Sequence, residues 1–172
     1  MITIVSGTNR DNSNSLKLAQ LYLAMLQQRD IPAQIFDLGE LKEDFWIAEL
    51  YGRRTPEFAT IVEQFFEKSD KWIYIFPEYN GSFPGVLKTF IDGLDPDVFK
   101  GKRVALVGHS GGKAGNLRGL DHMTGVLHYL QAEVLSDKPK FSQFHTLFTS
   151  SGELNEKVKL RVQTQLDKFI QF

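Results

Sequence analysis

Short apolar runs alternate with stretches of helical period along this chain, and that alternation is the strongest constraint on its fold. Ile2 to Val5 is a β-branched run that ends at Ser6 and Gly7, the pattern of a strand stopped by a turn. After a polar loop from Thr8 to Asn14, the residues Leu16, Ala19, Leu23 and Leu26 recur at helical spacing, with Ser13 or Ser15 placed to cap the helix. Ala33 to Phe36 reads as a second strand. Thr55 and Pro56 then open a helix whose apolar face is Phe58, Ile61, Val62, Phe65 and Phe66. Trp72 to Phe76 is an uninterrupted apolar run, as expected of a central strand covered on both faces.

The same rhythm continues to the end. Pro84 starts a helix with the stripe Leu87, Phe90, Ile91 and Leu94, and Asp95-Pro96 stops it. Val104 to Val107 is a fourth strand, followed by a helix with Leu117, Leu120, Leu127 and Leu130 on its inner side. Val134-Leu135 and the stretch around Phe144 to Phe148 offer a fifth strand, and Val158, Val162, Leu166, Phe169 and Ile170 suit a terminal helix. Strands that each lead into a helix pair in parallel through right-handed crossovers, so the expected α/β architecture is a three-layer, doubly wound, five-stranded parallel sheet. Ligands of such sheets sit outside the strand carboxyl ends. Three loops leave those ends, Gly7 to Ser15, Pro77 to Phe83 and Gly108 to Asn116. The irregular segment with Phe45, Trp46 and Tyr51 follows neither period and is either a contact surface or aromatic core filling.

Charge and composition narrow the function classes. Twenty Lys and Arg against 21 Asp and Glu leave no basic excess for nucleic acid to meet. There is no Cys, which removes disulfides, thiolate metal sites and dithiol redox chemistry; any redox work then needs a bound cofactor. MITIVSG lacks a basic segment and a signal-type apolar core, and no apolar run approaches the ~20 residues of a membrane span. The expectation is a cytoplasmic protein with no membrane partner. His109, His122, His128 and His145 lack zinc-helix spacing, so no metal is expected.

The first loop, SGTNRDNSNS, offers hydroxyls at Thr8, Ser13 and Ser15, the Arg10 guanidinium, and N–H groups at a helix start. Hydroxyl and amide donors with a helix dipole can hold a phosphate dianion with little side-chain charge. The P-loop Lys and the G-x-G-x-x-G spacing are both missing, so a monophosphate fits better than a triphosphate or a dinucleotide. Asp11 is discordant and is expected to face solvent. The plainer alternative is a loop that only caps its helix. The second loop, PEYNGSFPG, combines the flexibility of Gly81 and Gly85 with the aromatic and polar groups of Tyr79, Asn80 and Ser82, suiting a flat heteroaromatic ring. It also reads as a turn before a Pro-initiated helix, and the residues by themselves leave both readings open. Glu78 is a single acid without an identifiable partner.

These loops carry a resemblance. GTNRDNSNSL from Gly7 to Leu16 is similar to G-S-x-R-x-x-S-x-N, and PEYNGSFPGVLK from Pro77 to Lys88 is similar to P-E-Y-N-G-S-x-P-G-x-L-K. Both belong to the NAD(P)H-dependent FMN reductases, a flavodoxin-like family with sheet order 2-1-3-4-5, and the resemblance spans one FMN-binding domain over residues 1–172. It implies FMN, with Thr8, Arg10, Ser13, Asn14 and Ser15 around the phosphate. Pro77, Glu78, Tyr79, Asn80 and Gly81 would lie along the isoalloxazine, and Ser110 and Gly111 would close the third side. Of the family's Gly-Gly pair before an Arg, only Gly115 and Arg118 carry over; Thr8 for Ser and Ser15 for Asn also depart from the pattern.

The implied activity is hydride transfer from NADH or NADPH through FMN to a small-molecule electron acceptor: a free flavin, a quinone or an azo compound. A homodimer or homotetramer is implied as well. Arg53, Arg54 and Arg118 are each able to meet a 2′-phosphate or to face water. Two other readings compete. One is a non-enzymatic flavin carrier or interaction module. The other is a serine hydrolase, because Gly108-His109-Ser110-Gly111-Gly112 satisfies G-x-S-x-G after a buried strand. That reading needs Ser110, Asp137 and His145 as a triad, yet it lacks a sharp elbow and enough preceding strands.

Overall fold

The computed structural model describes residues 1–41, 49–50 and 54–172. Phe45, Trp46, Tyr51 and Arg53, singled out above, lie outside the described residues. Among the described residues six strand segments form the sheet: β1 (Ile2–Ser6), β2 (Ala33–Asp37), β3 (Lys71–Pro77), β4 (Arg103–His109), β5 (Glu133–Val134) and β6 (Lys140–Phe141). They run in the order β2-β1-β3-β4-β5, with β6 also on β4, and every pair is parallel. This is the expected doubly wound order.

Among the described residues five α-helices cover the sheet: α1 (Asn14–Gln27), α2 (Pro56–Val62), α3 (Gly85–Gly93), α4 (Leu117–Tyr129) and α5 (Glu156–Gln171). Alternating strand residues divide the core in two. Trp72, Tyr74, Phe76, Val104 and Leu106 pack with the buried residues of α2, α3 and α4, whereas Ile4, Ile73, Ile75, Ala105 and Val107 pack with those of α1 and α5. Burial on both faces is why these strands read as continuous apolar runs. Among the described residues, no helix is long and apolar enough to cross a membrane.

Two helices present a different stripe from the one their leucines suggest. The buried residues of α1 are Ser15, Leu18, Ala19, Tyr22 and Leu26, so Leu16 and Leu23 flank the core rather than fill it. Tyr22 takes the central place because its hydroxyl donates to Gln165 Oε1 at 2.6 Å inside the core. In α4 the buried set is Gly119, Leu120, Met123 and Leu127; Leu117 faces out.

The fifth strand corrects the expectation drawn from Phe144 to Phe148. It is broken: β5 pairs with Arg103 and Val104, and the chain returns to β4 only at Lys140 and Phe141. Phe144–Leu147 is a 3-10 turn, entered through Gln143 at a φ of 45°. The gap between the two pieces is bridged from α5, where the Gln165 amide donates to Leu106 O at 3.1 Å and to Asp137 O at 2.8 Å. A buried side-chain amide thus replaces missing ladder bonds, which a count of apolar residues does not reveal.

Gly108 shows how tightly β4 meets the loop that follows it. A methyl group there would stand 2.8 Å from Gly115 O and 3.0 Å from both Asn116 Cβ and Leu120 Cδ1. Gly108→Ala is therefore expected to lower stability by about 2 kcal/mol through overpacking. The midpoint of urea unfolding checks this; an unchanged midpoint would show that the third loop yields freely.

Candidate functional site

The site grows from the ends of β1, β3 and β4. β1 delivers the chain to Gly7, whose N–H donates to Ile75 O at 2.8 Å. A Cβ on Gly7 would lie 2.9 Å from both Phe76 Cβ and Leu87 Cδ2, so only glycine lets the first loop hug β3. The loop then closes on α1. Ser13 is the N-cap, in extended conformation, and its Oγ accepts from Leu16 N at 3.0 Å. The N–H groups of Asn14 and Ser15, in the first turn, have no carbonyl partner within the helix and carry its positive end.

The second loop is a tight turn. Tyr79 and Ser82 exchange backbone bonds at 2.9 and 3.1 Å around Asn80 and Gly81, whose φ values are 52° and 81°. Positive φ at both central positions is the type I′ pattern, for which Asn-Gly is the preferred pair. Tyr79 reaches back to the first loop: its hydroxyl pairs with Thr8 Oγ1 at 2.9 Å, and the Arg10 guanidinium stands 5.8 Å from its ring centroid. The two loops are therefore joined directly to one another. Asn80→Ala is expected to cost about 1 kcal/mol through left-handed strain, whereas Asn80→Gly holds the turn. Thermal melts of the two variants check this; equal melting temperatures would mean the turn does not depend on φ at this residue.

The third loop is braced by its own hydroxyl. Ser110 Oγ donates to Gly112 O at 3.0 Å and accepts from Gly115 N at 3.1 Å. Gly115, at a φ of 62°, leads into Asn116 at 70°. Asn116 N donates to Glu78 Oε2 at 3.1 Å, and Asn116 Nδ2 donates to Phe76 O at 3.2 Å. Glu78 thus has a partner after all: it holds the start of α4 against the end of β3.

A cleft of about 440 Å³ opens where the loops meet. Thr8, Arg10, Ser13 and Asn14 line it from the first loop, Pro77, Glu78 and Tyr79 from the second, and Ser110 and Gly111 from the third. Asn80, Gly81, Ser15 and Gly115 do not line it. Ser15 is fully buried behind it, with its Oγ 2.8 Å from His109 Nε2. Gly115 serves packing, since a Cβ there would sit 2.9 Å from Lys140 Cβ.

Three further residues, Asp11, Asn12 and His109, border the cleft. Asp11 is exposed at the rim, compatible with the expectation that it faces solvent. His109 is the last residue of β4, and this place at a strand carboxyl end was the available signal for it. Its ring packs 5.0 Å from the Phe144 ring, and burial pushes its pKa down to about 4.

The arrangement does not make a hydrolase triad. Ser110 is held by Gly112 and Gly115, while Asp137 is engaged by Arg161 and Lys168 on α5. His145 is exposed in the 3-10 turn beyond β6. The third loop is a bracket folded around its own serine, and no base stands in hydrogen-bond contact with that serine's hydroxyl among the described residues.

The cleft does fit a mononucleotide. One end has a capped helix terminus, hydroxyl groups and a single guanidinium, the donor set for a phosphate dianion. The other end is walled by the Tyr79 turn and the backbone of the third loop, which suits a planar ring. Fold and cleft together define a flavodoxin-like protein of the mononucleotide-binding kind. The chain belongs to the NADPH-dependent FMN reductase family, whose model matches residues 1–146.

Relatives of known activity agree. The chain is 31% identical over 175 residues to a 2-hydroxy-1,4-benzoquinone reductase of Burkholderia sp, covering 98% of this chain and 93% of that one. It is 34% identical over 116 residues to an FMN-dependent NADPH-azoreductase of Staphylococcus aureus, covering 63% of this chain and 60% of the relative. Among solved structures, a flavoenzyme NAD(P)H:(acceptor) oxidoreductase from Paracoccus denitrificans matches with a TM-score of 0.77 at 25% identity, over 99% of this chain and 94% of that one.

Proposed function

We propose that this protein is an FMN-dependent oxidoreductase that passes two electrons from NADH or NADPH to a small quinone or azo acceptor. The observation that carries the reading is the single cleft built from all three loops, with anion donors at one end and the Tyr79 turn at the other. When bound, FMN supplies the chemistry, accepting hydride equivalents from the nicotinamide and releasing them to the acceptor.

The protein's own part is binding and orientation. Ser13 keeps α1 capped, and with Ser6 donating across their 3.4 Å contact its own hydroxyl proton goes to a phosphate oxygen. Arg10 adds a charge, Thr8 a hydroxyl shared with Tyr79, and the first-turn N–H groups of Asn14 and Ser15 complete the cradle. Ser15 contributes backbone only, because its side chain is committed to His109. Pro77, Glu78 and Tyr79 present the ring wall, Asn80 and Gly81 hold its turn, and Ser110 with Gly111 closes the third side. No side chain is needed as an obligatory acid or base.

The reading extends to one FMN-binding domain over residues 1–172, a homodimer or homotetramer, and a place in the cytoplasm, where reduced pyridine nucleotides are available. Anaerobic titration of FMN-loaded protein with NADPH, followed by addition of a quinone, tests the core of it. The expected result is bleaching of the flavin band, its recovery on quinone addition, and sustained turnover in the mixture. Bound flavin that is not reduced by NADPH would leave a carrier instead of a reductase. Failure to take up FMN would end the proposal.

A further inference from the structure

We infer that Arg118 selects electron acceptors that carry negative charge. This rests on the reading that FMN lies in the cleft with its ring toward the Tyr79 turn.

Arg118 stands in the first turn of α4. Its Nη1 lies 3.9 Å from where a Cβ on Gly81 would be, so the guanidinium is set directly against the turn at the ring end of the site. One helical turn further on, His122 faces the same loop: its Nδ1 pairs with Ser82 Oγ at 2.8 Å, and its ring packs 4.8 Å from Phe83. Residues four apart share a helix face, so α4 lays one edge, Arg118 then His122, along the turn. The histidine is tied down. The arginine is not: it is exposed, and among the described residues it has no ion pair and no side-chain hydrogen bond.

The helix itself gives no reason for a cation here. Positive charge in the first turn opposes the macrodipole, which favours carboxylates at that end. No acidic residue of the first turn offsets it, and the carboxylate that does reach this terminus, Glu78, is bonded to Asn116 N. Gly81 meanwhile leaves the approach to the guanidinium open, because a side chain at this position would stand against Nη1. The arginine that lines the cleft, Arg10, sits over Tyr79 toward the phosphate end. The two guanidiniums thus have separate places, Arg10 lining the cleft and Arg118 outside its lining, against the far side of the Tyr79 turn. Arg10 answers the cofactor's phosphate, and Arg118 remains for a second anion that approaches the ring from solvent.

The acceptor class that meets this cation is a quinone or azo compound bearing a sulfonate, a carboxylate or an ionised hydroxyl. The exchange balances with the nicotinamide as donor: a quinone gains a hydride equivalent and one solvent proton to become the quinol, and NAD(P)H becomes NAD(P)⁺. Arg118 takes no part in the electron transfer. It steers and holds the acceptor, an effect that weakens with salt.

The test compares the FMN-loaded wild type with Arg118→Gln and Arg118→Lys, using a sulfonated naphthoquinone against uncharged menadione. In Arg118→Gln the ratio of kcat/KM for the sulfonate to that for menadione is expected to fall about tenfold, and Arg118→Lys is expected to keep most of it. Raising the ionic strength should erode the ratio in wild type and leave it level in Arg118→Gln. An unchanged ratio in Arg118→Gln overturns the inference. So does a loss confined to NADPH relative to NADH with both acceptors, which would assign the guanidinium to the donor's 2′-phosphate. Wild-type protein that binds no FMN, or turns over neither acceptor, defeats the underlying reading instead, and that result is distinct from a wild type that turns over with an indifferent Arg118.

Discussion

Replacing Arg10 and Ser13 together by alanine is expected to weaken FMN binding at least thirtyfold, about 2 kcal/mol, through lost hydrogen bonds to the phosphate. Ser13 complicates the interpretation because it also caps α1, accepting from Leu16 N at 3.0 Å. Alanine there costs the helix about 1 kcal/mol whether or not FMN is present. Ser13→Asp separates the two roles. Aspartate is as good a cap as serine, so the fold should hold, but its carboxylate would share the cradle with a phosphate dianion. FMN affinity is then expected to fall about a hundredfold or more, with the unfolding midpoint preserved. Titrations with FMN and with riboflavin check the assignment. The loss should be confined to FMN, since riboflavin has no phosphate. An equal loss for both ligands would place the phosphate elsewhere.

The second large effect is acid sensitivity centred on His109. Burial holds its pKa near 4 in the folded protein, against an ordinary value of 6.5. Between these values the unfolded chain binds a proton that the folded one refuses, so stability rises with pH across this window. The contribution is complete above pH 6.5 and is lost as pH falls toward 4, by about 3 kcal/mol in all. Asp137 acts in a lower range: burial opposes its ionisation, but the hydrogen bonds and charges of Arg161 and Lys168 prevail and hold its pKa below the ordinary 3.8. Urea unfolding at several pH values from 7 to 4 checks the point. His109→Gln, which stays neutral, should flatten the slope over that window. A wild-type slope in His109→Gln would assign the acid sensitivity to other groups.

These two residues also show what kind of information each level holds. The cap was legible as Ser13 or Ser15 because capping is local, a small polar residue three positions before a helical amide; the structure chose Ser13. The Asn80-Gly81 turn was legible for the same reason, as two adjacent residues suited to positive φ. The parallel sheet order followed from the alternation of strand and helix together with the family resemblance. For Ser15 only the side chain escaped the sequence: its neighbours along the chain are phosphate donors, while the neighbour of its hydroxyl in space is His109. The fifth strand was legible only in part, since Val134 does lie in β5. Apolar residues near Phe144 suggested a strand, but Gln165, far along the chain on α5, supplies the bond to Leu106 O that a continuous strand would have made.

What the amino-acid order decided by itself is therefore whatever depends on neighbouring residues: strand and helix periods, caps, tight turns, and the donor types gathered in each loop. Only the tertiary structure decided which donors share a cleft and which are spent on one another. Thr8 joins Tyr79 across the first two loops, and Glu78 anchors Asn116. Ser110 closes on its own loop instead of serving as a nucleophile. The physical reason is that a hydrogen bond or a buried charge is settled by distance in space, and in a doubly wound sheet the strands that lie side by side are separated along the chain by whole helices.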